Sequence, residues 1–263
     1  MGEKWPAARR MLLSAAATAF AMWLLLYAPS PYVVYEPGIA VPVEPMVALA
    51  DTNAHADDDE EKPGTFVLTA VRLTDPNLWG VIRAGADRNK DVRWKQDVFG
   101  GRSKTQYVER LNAVMSGSQE AAVQAAYSYA GVPFHVDKGM AVPERADKRL
   151  RIHADEIGGP SAGLVFALQG VDLLTEGDLA QGLRIAATGT IDAHGKVGAI
   201  GGVKQKAVAV SRENVDLFLV PQANESEARR TSGRMEGGPA VVGVETLDEA
   251  VRAIADFATA GRG

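Results

Sequence analysis

Between Met11 and Ala28 the chain reads MLLSAAATAFAMWLLLYA, roughly 18 residues without a charge, close to the shortest helix that crosses a bilayer. Lys4, Arg9 and Arg10 precede this stretch, whereas Glu36, Glu44, Asp51 and the run Asp57 to Glu61 come after it. The positive-inside bias therefore predicts residues 1–10 as a cytoplasmic tail, 11–28 as a retained single-pass anchor in the cell membrane, and everything downstream as extracytoplasmic. A cleaved signal peptide is the rival, but the apolar stretch is longer than a usual signal core, and Pro29-Ser30-Pro31 offers no clear small-x-small cleavage site. A buried core helix fits less well, because the stretch lacks a polar face and is flanked by charges.

The chain as a whole, 46% hydrophobic over 263 residues, has enough apolar content to bury a sizeable core. With 28 basic and 33 acidic residues the net charge is −5, which argues against nucleic acid as a partner. The absence of cysteine removes disulfides, thiolate nucleophiles and Cys-ligated metals together. The histidines, at 55, 135, 153 and 194, show no His-x-x-x-His pair, so neither metal nor cofactor is expected. Residues 29–63 carry prolines at 29, 31, 37, 42 and 45 and then the acidic run, a composition that predicts a stalk and linker. The acids lack the turn glycine of a calcium loop, so they read as a solvated spacer.

From residue 64 to 259 the chain reads as one globular domain of α+β class, because strands and helices mix without strict alternation. Strands are expected at Thr65 to Leu73, Val215 to Val220 and Ala240 to Val244. Leu183 to Ile191 and Lys196 to Ile200 should form a hairpin around Asp192-Ala193-His194-Gly195. Helices are expected after Asp75-Pro76, from Val114 to Ala130 with Gly131 as its stop, and from Ser161 to Leu174, which is apolar nearly all round. Two more are expected near the C-terminus, from Val203 to Arg212 and from a Thr246/Glu249 capping box to about Phe257. The polar stretch from Asp87 to Lys104 breaks the pattern.

Two glycine-flanked segments carry the chemistry. In Gly158-Gly159-Pro160-Ser161-Ala162-Gly163 a serine opens a buried helix, whose N-terminal amides can stabilise an oxyanion. In Gly201-Gly202-Val203-Lys204-Gln205-Lys206-Ala207 the apolar stripe Val203, Ala207 and Val210 lies nearer Lys206 than Lys204, which makes Lys206 the candidate for burial. A desolvated lysine is neutral and can take the proton of a serine hydroxyl. By residue chemistry alone a second reading fits equally well, with Ser161 capping its helix and Lys206 reaching solvent.

These segments, with Thr188-Gly189-Thr190-Ile191 and Gly195-x-Val197 between them, resemble in order the proteolytic domain of Lon proteases. Upstream, Val114-Met115 and Ser118 to Ala126 are similar to the helix that precedes the nucleophile in that family; downstream, Leu219-Val220-Pro221 and Asn224 match as well. The resemblance implies the Lon proteolytic fold and a serine endopeptidase working by a Ser–Lys dyad on protein or peptide substrates. Ser161 would be the nucleophile, Lys206 the general base and Thr188 the residue holding both; by the helix-end chemistry above, the amides of Gly159 and Ala162 are the expected oxyanion donors. The layout also resembles membrane-anchored Lon-like proteases of Gram-positive bacteria, whose Tyr-x-x-x-Pro-Gly-like segment corresponds to Tyr32 to Gly38. The PDZ domain usual in that group does not fit between Gly131 and Gly159.

No Gly-x-x-x-x-Gly-Lys-Ser/Thr occurs, so ATP-independent action on unfolded or flexible segments at the outer membrane face is expected, with no nucleotide partner. The acid that ATP-driven Lon carries three residues before its serine is here Gly158; Asp155 and Glu156 lie nearby without an assigned role. Lon-like domains commonly form rings, which leaves a homo-oligomer open. Two rival functions remain. Gly159-Pro160-Ser161-Ala162-Gly163 formally matches the nucleophile elbow of α/β-hydrolases, but the only downstream histidine is His194, in a turn. The other is a catalytically silent membrane-anchored scaffold that keeps the fold.

Overall fold

The computed structural model describes residues 7–50, 64–154, 159–175 and 178–261. Lys4, the acidic run Asp57 to Glu61, and Asp155, Glu156 and Gly158 lie outside these described residues. The first helix, α1 (Ala7–Tyr27), buries none of its residues. Among the described helices it is the one long and apolar enough to cross a membrane, by length and composition. Its polar side chains are satisfied within it: the hydroxyls of Ser14 and Thr18 donate to the carbonyls of Arg10 and Ser14, one turn back.

The stalk expectation is corrected over the described part of 29–63. Tyr32–Pro42 is a strand, β1, and Val47–Leu49 is another, β2. The prolines suggest a linker, yet Val33, Val34 and Val43 between them and Val47 just after them are buried, and the Val43 amide donates to the Phe66 carbonyl. The β-branched residues decide the segment, and the prolines punctuate it. The remaining elements are β3 (Thr65–Thr74), α2 (Leu78–Gly85), β4 (Asp91–Trp94), α3 (Lys95–Phe99), α4 (Lys104–Tyr129), β5 (Phe134–Asp137), β6 (Met140–Pro143) and β7 (Leu150–Ile152). They continue with α5 (Gly163–Leu174), β8 (Arg184–Ala187), β9 (Thr190–Ile191), β10 (Val197–Gly198), α6 (Val203–Val210), β11 (Leu217–Pro221), α7 (Glu225–Ser232), β12 (Ala240–Val244) and α8 (Leu247–Ala260).

The chain forms two compact units. The smaller comprises the described residues up to Glu36 together with Arg72–Arg102; the larger comprises Pro37–Val71 and the chain from Ser103 on. In the smaller unit the first residues of β1 pair antiparallel with β4, Tyr32 opposite Trp94 and Tyr35 opposite Asp91.

In the larger unit β3, β8, β11 and β12 pair in parallel. Helices cover both faces of this sheet, and the period of two along each strand divides its side chains between two cores. Phe66, Leu68, Ile185, Ala187, Leu217 and Leu219 face the core shared with α4, α5 and α8. Val67, Ala186, Phe218 and Val220 face the smaller core with Val203, Ala207 and Val210 of α6. Ten of the twelve residues of α5 are buried, which makes it the central helix of the fold. Antiparallel pairs complete a mixed α+β architecture: β2 with β7, β5 with β6, and β9 with β10.

The helix expected from Val114 starts at Lys104, because Ser103 and Gln106 form a reciprocal capping box. The strand expected over Leu183 to Ile191 breaks after Ala187. Thr188 still donates its amide to Leu219 of the sheet, but Gly189 donates to the Ser161 carbonyl and its own carbonyl accepts from Leu164. The chain leaves the sheet there to hold the segment that carries Ser161. The β9–β10 hairpin closes as expected, with the Asp192 carboxylate accepting the amides of His194 and Lys196.

Candidate active site

Ser161 lies in a 3-10 turn, Pro160–Ala162, that runs directly into α5. Gly159 precedes it at φ +111°, a conformation that L side chains rarely adopt. The serine does not cap the helix: neither the turn nor α5 has a side-chain cap, and Ala162 occupies the N-cap position. Its backbone is held instead. The Ser161 carbonyl accepts from the Gly189 amide at 2.8 Å and from the Thr188 hydroxyl at 3.0 Å. The preceding carbonyl, that of Pro160, accepts from the buried Ser118 hydroxyl of α4 at 2.9 Å.

Across from this turn, Gly202 at φ +70° turns the chain into α6. The side of α6 nearest its apolar stripe faces inward, as the spacing predicts: Lys206 is 2% exposed while Lys204 is only half-buried. Lys206 does not reach solvent. Its Nζ lies 2.7 Å from Ser161 Oγ and 2.8 Å from Thr188 Oγ1. Burial pushes the Lys206 ammonium down from 10.5 to about 7. No carboxylate pairs with it among the described residues.

The three hydroxyl and amine groups fix one another's roles. Thr188 has a single hydroxyl hydrogen, and it is committed to the Ser161 carbonyl, so toward Lys206 its oxygen can only accept. A neutral Lys206 thus donates one N–H to Thr188 and keeps its lone pair available to Ser161 Oγ. Turning the serine hydroxyl hydrogen toward that lone pair gives the arrangement that proton transfer from serine to lysine requires. His194 sits exposed in the β9–β10 turn, and Lys206 is the ionisable group bonded to the Ser161 hydroxyl among the described residues.

Two supporting residues, Ser118 and Gly163, are not evident as such from the sequence. Ser118 lies in the segment similar to the Lon helix, but its bond to Pro160 depends on tertiary contact that spacing does not reveal. Gly163 lets that bond form, since a Cβ there would come within 2.7 Å of Ser118 Oγ and 2.9 Å of Ile191 Cγ2. Ser118→Ala removes one hydrogen bond, worth roughly 1 kcal/mol, from the carbonyl next to the serine. If that bond is fully expressed in the transition state of the activity proposed below, steady-state kinetics is expected to show kcat about fivefold lower with KM little changed, since roughly 1.4 kcal/mol is a factor of ten in rate.

A groove of about 280 Å³ lies between α4, β6 and β7, lined by Gln119, Glu120, Met140, Ala141 and the segment Arg149 to His153. One edge of β7 pairs with β2, whereas on the other the Leu150 amide donates to the Tyr127 hydroxyl rather than to a strand.

Residues 94–255, more than half of the chain, match the Lon protease (S16) C-terminal proteolytic domain. The chain is 30% identical over 158 residues to the Lon protease of Clostridium acetobutylicum, covering 57% of this chain and 19% of that protein. It is likewise 30% identical over 154 residues to the Lon protease of Haemophilus influenzae, covering 57% of this chain and 18% of that protein. A shorter match, 37% over 83 residues, joins it to the Lon protease of Aster yellows witches'-broom phytoplasma, covering 30% of this chain and 10% of that protein. The matched region spans about a fifth or less of these curated relatives.

Proposed function

The chain belongs to the family of the Lon protease C-terminal proteolytic domain, and from that premise we propose that it is an ATP-independent serine endopeptidase acting through a Ser161–Lys206 dyad. The observation that carries this reading is a buried lysine amine, half neutral near pH 7, at 2.7 Å from a serine hydroxyl.

In the proposed reaction Ser161 Oγ bonds to the carbonyl carbon of a peptide while its proton passes to Lys206 Nζ. Amides at the entry to α5, those of Gly159 and Ala162, receive the developing oxyanion. The C–N bond then breaks as Nζ returns the proton to the leaving amine. Water adds to the acyl-enzyme, gives a proton to Nζ, and the serine hydroxyl is restored with release of the carboxylate. Thr188 holds Lys206 and the Ser161 carbonyl throughout.

The substrate would lie extended in the groove between α4, β6 and β7. Unfolded segments and flexible tails can adopt that form. The β5–β6 hairpin and β7 occupy the interval between Gly131 and Gly159, where the similar anchored group carries a PDZ domain. The chain has no phosphate loop of its own, which supports hydrolysis without nucleotide. In this reading α1 anchors the protein in the cell membrane with residues 1–10 cytoplasmic and the catalytic domain outside, and several copies can assemble around a shared substrate space.

The full chain in detergent micelles, offered an unstructured reporter polypeptide, is expected to cleave it equally with and without ATP. A slowly hydrolysed ester substrate should leave its acyl group on the peptide containing Ser161, read by mass spectrometry. No cleavage and no acylation would favour the silent scaffold and overturn the proposal.

A further inference from the structure

Within the smaller unit, one residue ties the end of α1 to the start of α2. The Asn77 side chain caps α2 by accepting the Gly80 amide at 2.8 Å, and its amide nitrogen donates to the Leu26 carbonyl in the last turn of α1. It thereby satisfies an orphan donor of one helix and an orphan acceptor of the other. Two further contacts pin the junction: Pro29 forms an antiparallel bridge with Asn77, and the buried Ser30 hydroxyl donates to the Pro76 carbonyl at 2.7 Å. An eight-residue helix is about 12 Å long, so α2 is a short element that starts beside the end of α1.

The outward face of α2 is apolar. Trp79 is 46% exposed and Ile82 is 55% exposed, three residues apart and so on one face; the one fully buried residue of the helix is Ala84. Arg83 in the helix and Arg88 just beyond it are exposed; the exposed acids nearby in sequence are Asp87 and Asp75, the latter paired with Lys95. At the same end of α1, Tyr27 is 71% exposed and stacks on Trp23. Scattered exposed apolar residues are ordinary on a soluble surface. Here they are gathered at the mouth of an apolar helix, next to cations, and tryptophan and tyrosine are the side chains that settle at a membrane–water boundary.

We propose that α2 is a second membrane contact, its Trp79–Ile82 face lying in the headgroup and upper acyl region of the leaflet from which α1 emerges. This inference rests on α1 being a membrane span. The occupant is lipid rather than protein because the face is continuous with the end of α1 through Asn77, and because Arg83 and Arg88 offer a complement to anionic headgroups.

The test uses the full chain in vesicles of phosphatidylcholine and phosphatidylglycerol containing lipids brominated at shallow or deep acyl carbons. Two variants each keep a single tryptophan, Trp23 or Trp79, with the others replaced by phenylalanine. Shallow bromines are expected to cut Trp79 emission about twofold, more than deep ones do, as befits a ring at the interface. Trp23 should be quenched by the same lipids as the reporter of α1. Quenching of Trp23 without Trp79 overturns the α2 contact and leaves the anchor standing; quenching of neither overturns the anchor and the contact together. Because the chain has no cysteine, Ile82→Cys labelled with an environment-sensitive fluorophore gives a second readout with all tryptophans in place. A blue shift on vesicles is expected, and emission unchanged from that in water overturns the contact.

Discussion

Lys206→Met is expected to abolish hydrolysis and at the same time make the protein harder to melt. The rate falls because the proton acceptor beside Ser161 is gone, and loss of a general base costs about 10²- to 10⁴-fold. The stability rises because methionine fills a buried site without having to become neutral. Lys206 titrates at 10.5 when unfolded and at about 7 when folded, so between these values the unfolded chain binds more protons. Wild-type stability therefore climbs as pH rises from 7 to 10.5. The advantage of Lys206→Met is full at and below pH 7 and fades as pH approaches 10.5. Lost bonds to Ser161 and Thr188 reduce the gain, leaving a rise of several degrees at pH 7, since each kcal/mol moves a domain of this size by about 2–4 °C. Calorimetry at pH 7 and pH 10 checks it. In the wild type the same ionisation is expected to set the activity: turnover should fall about tenfold per pH unit below 7 and level off above it.

Ser161→Ala is expected to remove turnover by about 10⁴-fold or more, as loss of a nucleophile does, while leaving the melting temperature unchanged. The structural bonds of this residue run through its carbonyl, which accepts from Gly189 and Thr188 and survives in alanine. Among the described residues the hydroxyl bonds to Lys206 alone, and the residue is half-exposed, so water replaces the lost oxygen. Its stability should stay within about 0.5 kcal/mol of wild type. Since burial sets the Lys206 ionisation, its low value persists in this variant, readable by direct titration of a labelled lysine. Together these two outcomes would separate a residue that serves chemistry at a cost to the fold from one that serves chemistry at no cost. Residual turnover in either, at wild-type level, would sink the dyad.

What could be read from the sequence was what depends on local pattern. The apolar run of α5, the turn around Asp192 and the stripe that buries Lys206 rather than Lys204 are each visible within a few turns of chain. Thr188 was marked only by family resemblance, because its position opposite Ser161 arises where the sheet breaks at Gly189. The strand β1 was hidden by its prolines, whose linker-like spacing outweighed the valines between them. The helix α7 was hidden because only Ala228 and Ser232 of it are buried, leaving no apolar stripe; its remaining sign was the charge order, acids first and arginines last, with Glu225 bonded to Arg229. Ser118 could not be found from spacing at all, since a serine inside a long helix is usually a neutral surface residue.

Gly163 and Gly189 record sterics rather than reactivity. A side chain at Gly163 would strike Ser118 and Ile191, and one at Gly189 would come within 2.8 Å of Val197, whatever became of the serine or the lysine. A descendant that lost Lys206 would still need both glycines to fold, and would go on looking like a peptidase to any comparison that weighs them. For this lineage, ancestry is written in positions that have no side chain, and the proposed competence in two positions that do.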